Sequence, residues 1–133
     1  QVPEPGDFFE GVMGRDNVLV VRQKDGSIRA LINSCPHRGN AVCRADEGHA
    51  TSFMCTYHGW TFDLKGALVG VPGFKEVYHE ELDRESWGLI KAAQVDSYRG
   101  LIFATMLAAN IGAVATILGA TDRGIPISTT QTV

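Results

Sequence analysis

The sequence predicts an all-β fold, a small antiparallel β-sandwich carrying a lobe of two hairpin loops. Three observations predict it. Fifteen Gly and five Pro punctuate short apolar runs, a pattern of strands and turns with no room for long helices. Hydrophobic residues make up 44% and charged residues 20%, as in an ordinary globular protein. A chain of 133 residues holds one modest core and little else.

Each element has a local reason. Phe8 to Met13 and Val18 to Arg22 are apolar runs separated by GRDN, which reads as two strands joined by a turn. Asp25-Gly26 is a tight-turn pair leading into a strand from Ile28 to Asn33, so the second and third strands form a hairpin. Thr51 to Cys55 and Trp60 to Leu64 flank a short loop, and Lys65-Gly66 turns the chain into Ala67 to Val71. Residues 75–86 are charged and read as a loop with a helical turn, while Leu89 to Val95 and Gly100 to Thr105 read as closing strands. Trp60 and Phe62 alternate with polar neighbours, as core-facing strand residues do.

The chemistry lies in two loops, CPHRGN at 35–40 and CTYHGW at 55–60. They supply Cys35, His37, Cys55 and His58 as Cys-x-His, a spacer, and Cys-x-x-His. Each loop contributes one thiolate and one imidazole. Such a set suits a [2Fe–2S] centre in which two Cys hold one iron and two His the other. Cys-x-His is too tight for both side chains to grip one small ion, but it reaches two irons of a diamond-shaped cluster. Gly39 and Gly59 let the backbone approach, so that amides face the sulfides. A structural zinc site is the competing use of two Cys and two His. It usually opens with a Cys pair and closes with a His pair, whereas here Cys and His alternate in both halves.

These residues resemble the Rieske domain of the large (alpha) subunit of bacterial aromatic-ring-hydroxylating dioxygenases. The likeness runs over 3–106 and includes EPGDFF at 4–9, VCRADEG at 42–48, GVPGFKEVYHEELDRESWGL at 70–89 and YRGLIFA at 98–104. It implies a Rieske-type sandwich with a cluster-binding lobe, and cluster ligands at Cys35, His37, Cys55 and His58. Arg38, Gly39, Tyr57, Gly59 and Trp60 match positions that flank the ligands in that family. Respiratory Rieske proteins carry an extra Cys in each loop, joined as a disulfide; Asn40 and Tyr57 stand at the matching positions here. The likeness is therefore to the low-potential dioxygenase type, with a free-standing Rieske ferredoxin as the alternative.

The same resemblance implies partners. A ferredoxin or reductase donates electrons, and an oxygenase catalytic domain or neighbouring subunit accepts them at a mononuclear Fe(II). In the family that iron is held by two His and a carboxylate. No stretch of this sequence resembles that domain, so no catalytic residue is expected, only electron transfer. Residues 1–106 read as the Rieske domain and 107–133 as a tail of unknown role, unlike the family.

The remaining features are quieter. Cys43 is the third cysteine and reads as a small apolar residue beside Val42; an odd count with two ligands excludes a disulfide scaffold and suits a reducing, cytoplasmic setting. His49 and His79 lie in polar and charged stretches and read as solvated. A net charge of −3 without any basic run argues against nucleic acid as a partner. The sequence opens without a basic, apolar leader, so export is not expected. Gly100 to Thr121 lacks charge and formally reaches the length of a membrane span, but Asn110 among small residues favours a short amphipathic or disordered tail over a membrane role.

Overall fold

A computed structural model of the chain describes residues 2–105 and the backbone of residues 115–120. The strands are β1 (Asp7–Met13), β2 (Asp16–Arg22), β3 (Ile28–Ile32), β4 (Glu47–His49), β5 (Ser52–Met54), β6 (Thr61–Asp63), β7 (Leu68–Gly70), β8 (Gln94–Tyr98), β9 (Leu101–Thr105) and β10 (Ala115–Ala120). A single 3-10 turn, Arg84–Trp87, is the helical turn expected within 75–86, displaced slightly toward the C-terminal side. Every strand pair is antiparallel, in three sheets ordered β3-β2-β1-β4, β10-β9-β8 and β5-β6-β7.

The four-stranded sheet is the base of the molecule, and its two faces serve different cores. Alternate residues of a strand point to opposite faces. Phe8, Leu19, Val21 and Leu31 therefore pack with Phe53, Phe62, Leu64 and Leu68 of the β5-β6-β7 sheet. Phe9, Val18, Val20, Ala30 and Ile32 face the other way, against Ile102 and Ala104 of β9. Burial on both faces explains why Val18 to Val21 is a continuous apolar run rather than an alternating one.

The lobe of residues 34–89 leaves the base sheet at β3, touches it again at β4 and rejoins it beside β3. Ile32 N–H donates to Ile90 O at 2.8 Å, Ala92 N–H donates to Ala30 O at 2.8 Å, and Leu31 bridges Lys91. Lys91 therefore makes an isolated bridge to Leu31 where a strand was expected over Leu89 to Val95. The closing strand β8 begins only at Gln94, where pairing with β9 becomes continuous. A second tie comes from Gln23, buried in the β2–β3 turn, whose Nε2 donates to Leu64 O at 2.6 Å.

Two elements lay outside the expectation. β4 returns the chain to the open edge of β1, pairing Phe8 with Gly48. β10 lies antiparallel to β9 with a bulge between Ile117 and Gly119, so the backbone of residues 115–120 is strand where a short amphipathic or disordered tail was expected. The rest of 107–133 lies outside the described residues. Among the described residues no helix is long and apolar enough to cross a membrane.

Leu31 is fully buried where the base sheet meets the β6–β7 turn; a Cβ on Gly66 would sit 3.0 Å from its Cδ2. Leu31→Ala is expected to cost about 2–5 kcal/mol of stability, the range for emptying a buried leucine site. Urea unfolding of the variant checks this, and a loss under about 1 kcal/mol would show the joint to be loosely packed.

Candidate metal centre

The two ligand loops adopt the same turn. Cys35 N–H donates to Asn40 O and Cys55 N–H to Trp60 O, both at 2.8 Å. Gly39 N–H then donates to Cys35 O at 2.7 Å, and Gly59 N–H to Cys55 O at 2.9 Å. Closing a loop this way needs a left-handed residue near its end, and the two glycines provide it with φ of 78° and 76°. At Gly59 the reason is doubled, since a Cβ there would lie 3.0 Å from Pro72 Cγ. The second loop is the tip of the β5–β6 hairpin. The first reverses the chain identically, yet its flanking strands β3 and β4 pair with β2 and β1, not with each other.

This repeated turn brings the four sequence-predicted side chains together. Cys35 and Cys55 are both 2% exposed and sit in the lobe core, close enough for each thiol to shift the other's proton affinity. The imidazoles of His37 and His58 meet edge to face with centroids 4.6 Å apart. Sulfur is thus paired with sulfur and nitrogen with nitrogen. Backbone N–H groups of His37 and Arg38 point at Cys35 Sγ, and those of Tyr57 and His58 at Cys55 Sγ.

The electrostatics divide the two thiols. Burial pushes the Cys35 thiol up. Burial acts on Cys55 in the same sense, but the Tyr57 and His58 N–H groups and the Asn40 amide outweigh it and hold Cys55 below the ordinary thiol range. His37 is held low by burial, then by the nearby charges of His58 and Arg38, so its ring is neutral and keeps a lone pair.

His37 Nδ1 is buried with no hydrogen-bond partner. Buried polar atoms are paired in folded proteins unless something else takes the lone pair, and a metal does so. The donor chemistry therefore fits a [2Fe–2S] group, with soft sulfur on one side and imidazole on the other. Zinc requires its donors on one point. Here the thiols pair with each other and the imidazoles with each other, the arrangement of a group held at two irons rather than at one ion.

Aromatic rings wall the site. The Trp60 indole, 3% exposed, lies flat on the His37 ring at 4.6 Å and 8°, with Trp87 edge-on behind it at 6.0 Å. Tyr57 covers His58 at 3.9 Å. Trp60 and Phe62 are core residues, as expected, and Trp60 is at once part of the shell of the site. His58 is exposed and His37 is not.

Other predicted residues fall away from the centre. Cys43 is half-buried against the lobe core. His49 is exposed but not idle, its Nδ1 lying 3.0 Å from Asp7 Oδ1 across the β1–β4 pair. His79 is exposed in a turn with φ of 52°.

A model of the Rieske [2Fe-2S] domain matches residues 1–98, and the chain belongs to that family. Within it, the chain is 53% identical over 104 residues to the biphenyl 2,3-dioxygenase subunit alpha of Rhodococcus jostii (strain RHA1), covering 78% of this chain and 22% of that protein. The structure of naphthalene 1,2-dioxygenase with indole in its active site superposes with a TM-score of 0.78 at 43% identity, covering 80% of this chain and 24% of the other. A quaternary ammonium Rieske monooxygenase, described with inter-subunit electron transfer, superposes at 0.71 with 32% identity, covering 80% of this chain and 28% of the other. The chain spans about a quarter of the length of these relatives.

One organising residue is absent from the motif reading. Asn33 is 7% exposed directly before the first loop. Its Nδ2 donates to Glu10 Oε2 and to Cys43 O, both at 2.7 Å, and its Oδ1 accepts from Val42 and Cys43 N–H at 2.9 and 3.1 Å. It ties both ends of the first loop to β1. The signal was a lone amide ending an apolar strand. Asn33→Ala orphans several of these groups and is expected to cost about 2–3 kcal/mol. Denaturant unfolding checks the figure, and an unchanged midpoint would remove Asn33 from this role.

Proposed function

We infer that Cys35, His37, Cys55 and His58 hold a Rieske [2Fe–2S] cluster, and that this chain is the electron-transfer part of a ring-hydroxylating dioxygenase alpha subunit. The observation that carries the reading is the segregated pairing, thiol with thiol and imidazole with imidazole, in two copies of one turn. The cluster, when bound, accepts and releases one electron at a time. The chain's own residues do the rest. Cys35 and Cys55 bind as thiolates steadied by backbone N–H groups, and His37 and His58 offer ring nitrogens. Trp60, Tyr57 and the lobe core exclude water on the buried side. The exposed His58 gives the site its open edge toward a partner.

The donor in this reading is a ferredoxin or reductase. The acceptor is the mononuclear iron of an oxygenase catalytic domain, in the same or a neighbouring subunit. The setting is the reducing cytoplasm, in keeping with three free cysteines. The relatives compared above are oxygenase components, which favours this reading over a free-standing ferredoxin.

Anaerobic reconstitution is expected to give about two irons and two sulfides per chain. Cys43→Ser retains them and Cys35→Ser loses them. Zinc without iron, or equal loss in both variants, would overturn the ligand assignment.

With Asn40 and Tyr57 where a disulfide pair would stand, the midpoint is expected at the bottom of the Rieske span, roughly −150 mV. Protein-film voltammetry checks it, and a clearly positive value at neutral pH would point to a respiratory role instead.

A further inference from the structure

We propose that Asn40 is a clasp between the two ligand loops, its side-chain amide donating to the Cys55 sulfur and thereby raising the reduction potential of the cluster. The inference rests on the ligand assignment made above. Asn40 ends the first loop, and its carbonyl accepts the bond that closes that loop, so its Cα is fixed by the turn itself. Its side chain leaves that loop for the other one. Nδ2 lies 3.6 Å from Cys55 Sγ and 3.5 Å from Thr56 Oγ1, with Ala41 O at 3.2 Å.

The contact makes the two sulfurs unequal. Cys35 Sγ receives backbone N–H groups alone, while Cys55 Sγ receives backbone N–H groups and also this amide from the opposite loop. An N–H donor draws negative charge off a thiolate. The reduced cluster carries more charge than the oxidised one, so the donor stabilises the reduced form more. Asn40 is half-buried, where such a bond is stronger than in water. The same residue stands at one of the two positions matched to the respiratory disulfide, and it joins the loops by polar contacts to Cys55 and Thr56.

The test uses the reconstituted protein and the variants Asn40→Leu and Asn40→Gln. Leu removes the donor at nearly constant volume. The expected result is a midpoint shifted to more negative potential at unchanged iron and sulfide content, with partial return in Asn40→Gln. An Fe–S(Cys) stretch moved to higher frequency in the resonance Raman spectrum of Asn40→Leu would accompany it, since an unbonded sulfur binds iron more strongly. Identical midpoints in the Leu variant and the unaltered protein, both fully loaded, would overturn the proposal. Should Asn40→Leu lose its cluster, the unaltered protein decides. Grown on asparagine with heavy nitrogen in its side-chain amide, it shows hyperfine coupling between that nitrogen and the reduced cluster if the bond exists. Absence of that coupling overturns the proposal. Absence of iron and sulfide from the unaltered protein would overturn the ligand assignment first, and the clasp with it.

Discussion

The bond from a cysteine amide to the carbonyl five residues on, made once in each loop, is the constraint on which the site depends. It forces the intervening chain into a narrow arch. Inside the arch the next free N–H groups have nowhere to point except at the cysteine's own sulfur. The same arch throws the histidine outward from the thiolate, and a left-handed glycine is the residue that lets it close. Two such arches facing each other produce a sulfur side and a nitrogen side without any further instruction. The rest of the molecule exists to keep the two arches opposed.

That task falls to the base sheet and to a few buried polar ties. β3 delivers the first arch from one edge of the sheet, and β4 recovers the chain at the other edge. Asn33 spans the gap with four hydrogen bonds, and Gln23 fastens the far end of the lobe. Both amides are nearly buried, so each bond matters chiefly for the desolvated partner it would otherwise leave unpaired. Apolar packing supplies cohesion, and the amides supply register.

Much of this was legible before the structure. The hairpins around Asp25-Gly26 and Lys65-Gly66 followed from turn chemistry, and residue type and spacing singled out the two Cys/His loops that the fold brings face to face. What escaped detection had little side-chain signal. β4 is Glu-Gly-His, exposed throughout, and is held only by the backbone edge of β1 and the Asp7–His49 pair. Leu89 and Ile90 look like strand residues, yet one bond to Gly66 and one to Ile32 is all the pairing they make. Asn33 reads as an ordinary polar residue and Asn40 only as the place of a missing cysteine, because their partners are distant in the chain or across the site. The continuous run Val18 to Val21 signalled burial but not that two separate cores would claim its two faces.

The junction where Ile32 meets Ile90 has a consequence for how such a module travels. The whole lobe is an insertion whose two ends already touch, hydrogen-bonded from Ile32 to Ile90 and from Ala92 to Ala30. Joining it to a host therefore adds almost no loop-closure entropy beyond that of an ordinary hairpin. Any antiparallel pair able to offer those bonds, together with a free neighbouring edge for β4, is a candidate socket. The lobe is in this sense a graft with its own suture, and transplanting residues 33–90 needs two backbone junctions, one vacant strand edge and a host sheet face able to stand in for Phe8, Leu19, Val21 and Leu31 in the shared core.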